Sequence, residues 1–247
     1  MAQWSDPRVT GTQSTVTGAG IGAGAVAIDV GLRAHMLKVY NYMTSGVLLT
    51  GIVAMMFAQS GFAADLLMNG GALRWLIILS PLAVLLVMNF GLNRLSTSTL
   101  VGLFFGFATL MGLSMSTVFL VYTGTSIAQT FFATAAAFAG LSLWGYTTKK
   151  DLSGWGSFLI MGVVGLLVAS IANIWLASGT LQWVISAVGV LIFAGLTAYD
   201  TQTIKSIYLQ VQGSDMVGKA AIMGALNLYL DFINMFQFLL SFMGGRD

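Results

Sequence analysis

The sequence predicts an all-α integral membrane protein built as a bundle of seven transmembrane helices. Hydrophobic residues make up 57% of the 247 residues and charged residues only 7%, against about 25% charged in ordinary soluble domains. Seven apolar segments are long enough to cross the hydrocarbon core, which takes about 20 residues of helix. A chain this apolar needs lipid as its solvent, so its first expected partner is the lipid bilayer.

The N-terminal residues 1–31 are predicted to be a flexible cytoplasmic tail. They are rich in Gly, Ala, Ser and Thr and contain no long apolar run. They also lack the charged start, apolar middle and cleavage site of a secretory signal peptide. Residues 32–247 are the predicted membrane domain. It opens with Leu32–Tyr40, where basic side chains among apolar ones indicate a short interfacial helix before the first span.

The seven spans follow one another with short breaks that contain Gly, Ser or Asn, such as Met68-Asn69-Gly70-Gly71. The predicted spans are Asn41–Gln59, Arg74–Leu92, Thr99–Tyr122, Ser126–Thr147, Trp155–Ala177, Leu181–Ile204 and Ala220–Met243.

Basic residues in the connections predict the orientation. Cytoplasmic loops carry an excess of Lys and Arg, and an N-terminus in the cytoplasm puts eight basic residues there and two on the other side. An odd number of spans then leaves the C-terminus outside. The eight are Arg8, Arg33, Lys38, Arg94, Lys149, Lys150, Lys205 and Lys219, and the two are Arg74 and Arg246.

Missing residue types exclude several functions. The chain has no Cys and no Glu, which removes disulfides, thiolate metal sites and cysteine nucleophiles. Its single histidine, His35, precedes the predicted first span, so histidine catalysis and histidine metal clusters inside the membrane are excluded. The net charge of +2 is small and scattered. We therefore expect no nucleic-acid partner and no cofactor.

Two lone carboxylates, Asp200 and Asp231, lie inside the last two spans. A carboxylate at bilayer depth is costly and usually functional. Asp200 lies 13 residues before Gly213, and Asp231 lies 12 residues after Lys219. Both should therefore be about 18–20 Å from the turn that joins the two helices. This predicts a level pair that holds one shared proton, because two carboxylates in a low-dielectric site cannot both ionise cheaply.

Polar residues near the pair predict an inward-facing polar site. In the last span, Asn227, Asp231 and Asn234 recur at i, i+4 and i+7, which is one face of a helix. Arg94, at the end of the second span, is the nearest candidate cation. Two further candidate polar groups, in the fifth and sixth spans, are Asn173 and Thr197.

Three other interpretations of the pair are open to the sequence. Each aspartate can simply be hydrogen-bonded inside the bundle and fix helix register. Intramembrane aspartyl proteases also place two aspartates on neighbouring helices, but Asp200 follows Tyr199 and Asp231 follows Leu230, without a Gly-x-Gly-Asp run. A retinal-binding protein needs a lysine deep in its last span, which residues 220–243 lack. We therefore expect no enzyme.

Motifs around the pair carry a family resemblance. The stretches Leu196-Thr-Ala-Tyr-Asp-Thr-Gln202 and Leu228-Tyr-Leu-Asp-Phe-Ile-Asn-Met-Phe236 resemble the Bax inhibitor family (transmembrane Bax inhibitor motif), in particular its bacterial YccA- and YetJ-like members. Weaker matches are Thr148-Lys-Lys-Asp-Leu-Ser153 and Ser170-Ile-Ala-Asn-Ile174. The resemblance covers about residues 38–243.

This resemblance implies both an architecture and an activity. The last helix is expected to be central, surrounded by the other six. The implied activity is a pH-sensitive calcium leak of the bacterial inner membrane, in which Asp200 and Asp231 are the sensor and gate. Ca²⁺ or H⁺ is then the transported ion, with no firm metal site and at most transient Ca²⁺ contact with the pair. The resemblance matches Arg94 to a basic residue that interacts with the pair. The alternative is a non-transporting modulator that binds a membrane-bound protease.

Overall fold

The computed structural model describes residues 19–245, with side chains described for residues 29–66 and 70–245. This part of the chain contains nine α-helices and no strand. The helices are α1 Ala19–Gln59, α2 Phe62–Asn69, α3 Gly71–Gly91, α4 Thr97–Met115, α5 Val118–Val121, α6 Gly124–Thr147, α7 Ser153–Leu176, α8 Gly179–Val211 and α9 Met216–Met243.

The predicted all-α bundle of seven spans is confirmed. Seven segments of the described chain are long and apolar enough to cross a membrane. The third span, Thr97–Val121, combines α4 and α5, while α2 is a short helix in the connection before the second span. The ends of five spans lie within four residues of the prediction. The sixth span is longer and continues to Val211.

The first span differs from the prediction. Helix α1 is continuous from Ala19 to Gln59, and its membrane-crossing part begins at Asp29. The separate interfacial helix predicted over Leu32–Tyr40 is therefore wrong, and residues 19–31 of the predicted tail are helical. The physical reason is an unbroken apolar face at helical spacing. Its buried members are Leu32, Met36, Val39, Met43 and Val47. Residues 1–18 of the predicted tail lie outside the described residues.

Helix α9 is the central element of the bundle. It is the most deeply buried of the seven spans and packs chiefly against α8, α1, α6 and α4. Helix α3 packs mainly on α4, and α7 packs mainly on α8. The central position of the last helix is thus as predicted, but its main neighbours are four helices rather than six. One side of α9 is therefore less covered than the others.

Aromatic rings fill the space around α9. Tyr229 is fully buried and meets Phe104 and Phe107 of α4 edge-on, with ring centroids 5.9 and 5.5 Å apart. One turn further along α9, Phe232 packs edge-on against Phe138 of α6 at 5.6 Å. Such pairs contribute about 0.5–1.5 kcal/mol each beyond the area they bury. They fix α9 between α4 and α6.

Cross-helix contacts gather the basic side chains at one end of the bundle. Tyr40 Oη of α1 lies 2.6 Å from Ser142 Oγ of α6. Lys219 Nζ of α9 donates to the Leu92 carbonyl at 3.0 Å. The His35 ring of α1 lies 4.9 Å from the Tyr208 ring near the end of α8, so the start of α1 lies beside the α3–α4, α6–α7 and α8–α9 connections. We call this end the basic end. Its basic residues are Arg33, Lys38, Arg94, Lys149, Lys150, Lys205 and Lys219.

Arg74, at the start of α3, lies at the other end of the bundle. The remaining two basic residues, Arg8 and Arg246, are outside the described residues. The excess of Lys and Arg at one end of the bundle is the signal that predicts which end faces the cytoplasm. The basic end remains the predicted cytoplasmic end.

Candidate functional site

The register between α8 and α9 is set by small residues and hydroxyl groups. Ser186 Oγ of α8 donates to Ser241 Oγ of α9 at 3.0 Å. Nearer the basic end, a Cβ added at Gly224 would lie 3.0 Å from the Ile204 side chain, so α9 approaches α8 closely there. These two contacts anchor the antiparallel pair at both ends.

Counting from these contacts shows how the two carboxylates are placed. Asp200 lies opposite residues 227–228 of α9, and Asp231 lies opposite residues 196–197 of α8. The pair is thus offset by about one helical turn, roughly 5 Å. The predicted equal depth is wrong because α9 begins at Met216, before the Lys219 from which the depth was counted. An offset of one turn still leaves two neighbouring side chains within reach of each other.

An offset of about one turn on adjacent helices leaves the two carboxylates near enough for their charges to interact. Asp231 is buried, with 4% of its surface exposed, whereas Asp200 is half-buried. Among the described residues, neither carboxylate has a hydrogen-bond or ion-pair partner, and Asp231 Oδ2 is fully enclosed without one. The two aspartates are thus neighbours on α8 and α9 that bond to no other described group.

An enclosed carboxylate oxygen without a partner is energetically unfavourable when it is charged. Burying a charge without compensation costs several kcal/mol, so the oxygen favours a proton, a water molecule or a cation. The described residues contain no group of three His or acidic side chains that could hold a metal ion. Ca²⁺ usually takes 6–8 oxygen ligands, and two carboxylates supply at most four. The site suits proton binding and weak cation contact better than a permanent metal.

Two of the predicted supporting groups lie near the pair but bond elsewhere. Thr197 is fully buried, level with Asp231, and its Oγ1 donates to the Phe193 carbonyl at 2.8 Å. Asn234 Nδ2 donates to the Leu230 carbonyl at 2.7 Å. Both donors are thus used within their own helices. They line the surroundings of the pair without pairing with it.

Asn227 does not face inward as predicted. Its side chain is exposed, as is that of Gln237, and Asn234 between them is half-buried. These residues follow the side of α9 that is least covered by neighbouring helices. The spacing put Asn227 and Asn234 on one stripe with Asp231, but Asp231 lies on the buried side of that stripe and Asn227 on its exposed side. Asn227 nevertheless lies level with Asp200.

Arg94 is not beside the pair. It is exposed in the connection between α3 and α4, and the Lys219–Leu92 hydrogen bond fixes this connection next to the first turn of α9. Asp231 lies 12 residues further along α9, about 18 Å away. The expected contact between Arg94 and the carboxylates is absent because the cation stays at the basic end.

Asn173 is at the opposite end of the bundle from Arg94. Its Nδ2 donates to Gln182 Oε1 at 3.2 Å, and its Oδ1 accepts a hydrogen bond from the Ser178 backbone N–H at 3.0 Å. Asn173 therefore fastens the turn between α7 and α8. Its predicted place beside the pair is wrong, since that turn joins the helices about 30 Å along α8 from Asp200.

A chain of hydroxyl groups that the sequence did not reveal ends next to the pair. Tyr40 Oη, Ser142 Oγ and Thr201 Oγ1 are linked by distances of 2.6 and 2.9 Å. Thr201 Oγ1 donates to the Thr197 carbonyl at 2.7 Å. Because each hydroxyl has one hydrogen, Ser142 donates to Thr201 and Tyr40 donates to Ser142. This chain joins α1, α6 and α8 at the residue that follows Asp200.

His35 is a further group whose position differs from the one predicted. It is 4% exposed, its ring lies 4.9 Å from that of Tyr208 in α8, and neither ring nitrogen has a described hydrogen-bond partner. It was predicted to precede the membrane stretch, but the continuous α1 carries it into the bundle. Its helical spacing from Leu32 and Val39 is the signal that could have placed it.

Comparisons with known proteins agree with this architecture. Residues 32–247 match the family described as inhibitor of apoptosis-promoting Bax1. The chain is 44% identical over 218 residues to the inner membrane protein YbhL of Escherichia coli K12, covering 87% of this chain and 93% of that protein. It is also 46% identical over 230 residues to an uncharacterized protein of Caulobacter vibrioides, covering 90% and 92%.

Proposed function

Because the chain belongs to the Bax inhibitor family, as its sequence predicted, we propose that it is a pH-sensitive calcium leak channel gated by protonation of Asp200 and Asp231. The observation that carries the proposal is the enclosed, unpartnered oxygen of Asp231 beside a second carboxylate. Seven apolar helices and the similarity to YbhL make the chain a multi-pass protein of the inner membrane.

The gate follows from the chemistry of two neighbouring carboxylates. With one proton between them, the pair carries a single charge and α8 and α9 can stay closely packed. When that proton leaves, two like charges face each other in a low-dielectric site, which is strongly unfavourable. A cation or a rearrangement of the two helices relieves the repulsion. Proton occupancy and helix packing are therefore linked.

Calcium suits this site because it prefers hard oxygen ligands and tolerates irregular coordination. It competes with the proton for the same carboxylate oxygens. In this proposal the contact is transient, and the pair senses protons rather than cleaving a substrate. The same chemistry makes H⁺ the second candidate for the transported ion.

The proposed activity is tested with purified protein in vesicles that contain a calcium indicator. We expect calcium flux above that of protein-free vesicles and a dependence of the flux on pH. Asp151→Asn is the matched control. Hydrogen bonds from the Ser153 side chain and backbone hold the pKa of Asp151 below its usual value, and it lies exposed outside the spans. It should keep the wild-type profile.

Two results count against the proposal. One is a flux equal to that of protein-free vesicles at every pH. The other is a flux that the protein increases to the same extent at every pH. The alternative, a modulator of a membrane protease, rests on the family resemblance and on an N-terminal tail whose first 18 residues lie outside the described part of the chain. No described contact favours it.

A further inference from the structure

An apolar groove runs between α1 and α6 on the outer surface of the bundle. Its volume is about 690 Å³, and a side chain of α9, Phe232, forms part of its floor. Its walls are almost entirely apolar. Its lining includes Tyr40 and Val47 on α1 and Ala135, Ala139 and Tyr146 on α6.

The groove exists because α6 carries small side chains at positions that face α1. The Tyr40–Ser142 hydrogen bond ties the two helices together at one level. Further from the basic end, α6 presents Ala135 and Ala139 toward α1, and alanine is too short to fill the gap. Exposed apolar side chains, Leu48 of α1 and Leu143 of α6, border the opening. A gap with such a rim faces acyl chains rather than water.

Basic side chains lie at one end of the groove. Arg33 lines that end. Arg33 lies seven residues before Tyr40 and Lys149 lies seven residues after Ser142, so the hydrogen bond between the antiparallel helices puts the two cations at about one level. Lys205 is close by, because its Nζ donates to the Tyr146 carbonyl at 3.2 Å.

The length and polarity of the groove match a phospholipid. From Arg33 to Val47 the groove follows 14 residues of helix, about 21 Å, which spans one leaflet of a hydrocarbon core about 30 Å thick. No acidic side chain lines it. An apolar channel of leaflet depth, closed at one end by cations, is complementary to one acyl chain and an anionic headgroup.

We propose that this groove is a binding site for an anionic phospholipid. One acyl chain lies between α1 and α6 over Phe232, and the headgroup phosphate lies between Arg33 and Lys149. The site is independent of the carboxylate pair, and it stands whether or not the chain conducts calcium.

The test is native mass spectrometry of the full-length protein in detergent with equal amounts of phosphatidylglycerol and phosphatidylethanolamine. We expect one phosphatidylglycerol to be retained in preference to phosphatidylethanolamine. Ala139→Phe fills the groove and should abolish this retention. Ala137→Phe is the control, because Ala137 is exposed on the same helix and does not line the groove. Arg33→Gln should lower the preference roughly five-fold, since a basic residue near anionic lipid contributes about 1 kcal/mol.

Equal retention of the two lipids by the wild type would overturn the proposal, as it would indicate only the lipid that surrounds any membrane protein. Retention by Ala139→Phe that matches Ala137→Phe would overturn it as well. If Ala139→Phe does not fold, Arg33→Gln decides, because Arg33 is exposed and its loss leaves the packing intact. An unchanged lipid preference in that variant contradicts the assigned headgroup position.

Discussion

Asp231→Asn is expected to abolish the pH dependence of calcium flux. Asp231 is the enclosed member of the pair, and its Oδ2 has no described partner. Asparagine has nearly the same shape but cannot ionise, so no second charge can appear beside Asp200. The flux should then be about the same at the two ends of a pH series, because pH can no longer create two like charges at this position.

Asp200→Asn should abolish the pH dependence as Asp231→Asn does. One carboxylate alone cannot form a pair of like charges, whichever of the two is replaced. The measurement is calcium flux into vesicles across the pH series for both variants. Asp215→Asn serves as the control, since Asp215 is exposed in the turn of the same helical hairpin. A wild-type profile in Asp231→Asn would show that this carboxylate is not the sensor.

Gly145→Val is expected to lower the stability of the folded protein severely. Gly145 of α6 is buried against Ala198 of α8, and an added Cβ would lie 2.9 Å from the Ala198 Cα and closer still to its carbonyl oxygen. Backbone atoms cannot rotate away as a side chain can. Overpacking of this kind typically costs about 1–3 kcal/mol and sometimes more. Ala198 also lies two residues before Asp200, so the clash displaces the helix that carries the site.

The effect of Gly145→Val is measured as the midpoint of thermal unfolding in detergent. Gly140→Val on the same helix is the matched control, because a Cβ added there has no heavy atom within 4 Å. Valine has a better helix propensity than glycine, so the control should unfold at or slightly above the wild-type temperature. Equal midpoints for the two variants would mean that α6 and α8 do not approach as closely as described.

The spans and the pair could be predicted because their signals are local. Apolar length decides which segments cross the bilayer, and a charge inside such a segment is conspicuous whatever surrounds it. The central place of the last helix came from the family resemblance, since neither length nor composition distinguishes a central span from an outer one. Asp200 and Asp231 could be found because each is a charge inside an apolar segment.

The surroundings of the pair could not be predicted, because they depend on which helices meet and in what register. Asn227 and Asp231 share a helical stripe, but the direction of that stripe is set by the four neighbours of α9. The depth of Asp231 depended on the start of α9 at Met216, three residues before Lys219. Asn173 was placed by its polarity, and Arg94 by its charge and the family resemblance, whereas each lies at an end of the bundle.

The central claim is that Asp200 and Asp231 act as one unit through a shared proton. The measurement that tests it most directly is the pH profile of calcium flux for the wild type, Asp200→Asn, Asp231→Asn and the double variant in one series of vesicles. Residues that act as a unit have non-additive effects. We predict that each single variant loses the pH dependence as completely as the double variant does. Single variants that each keep part of the pH dependence, with losses that add up in the double variant, would contradict a shared proton.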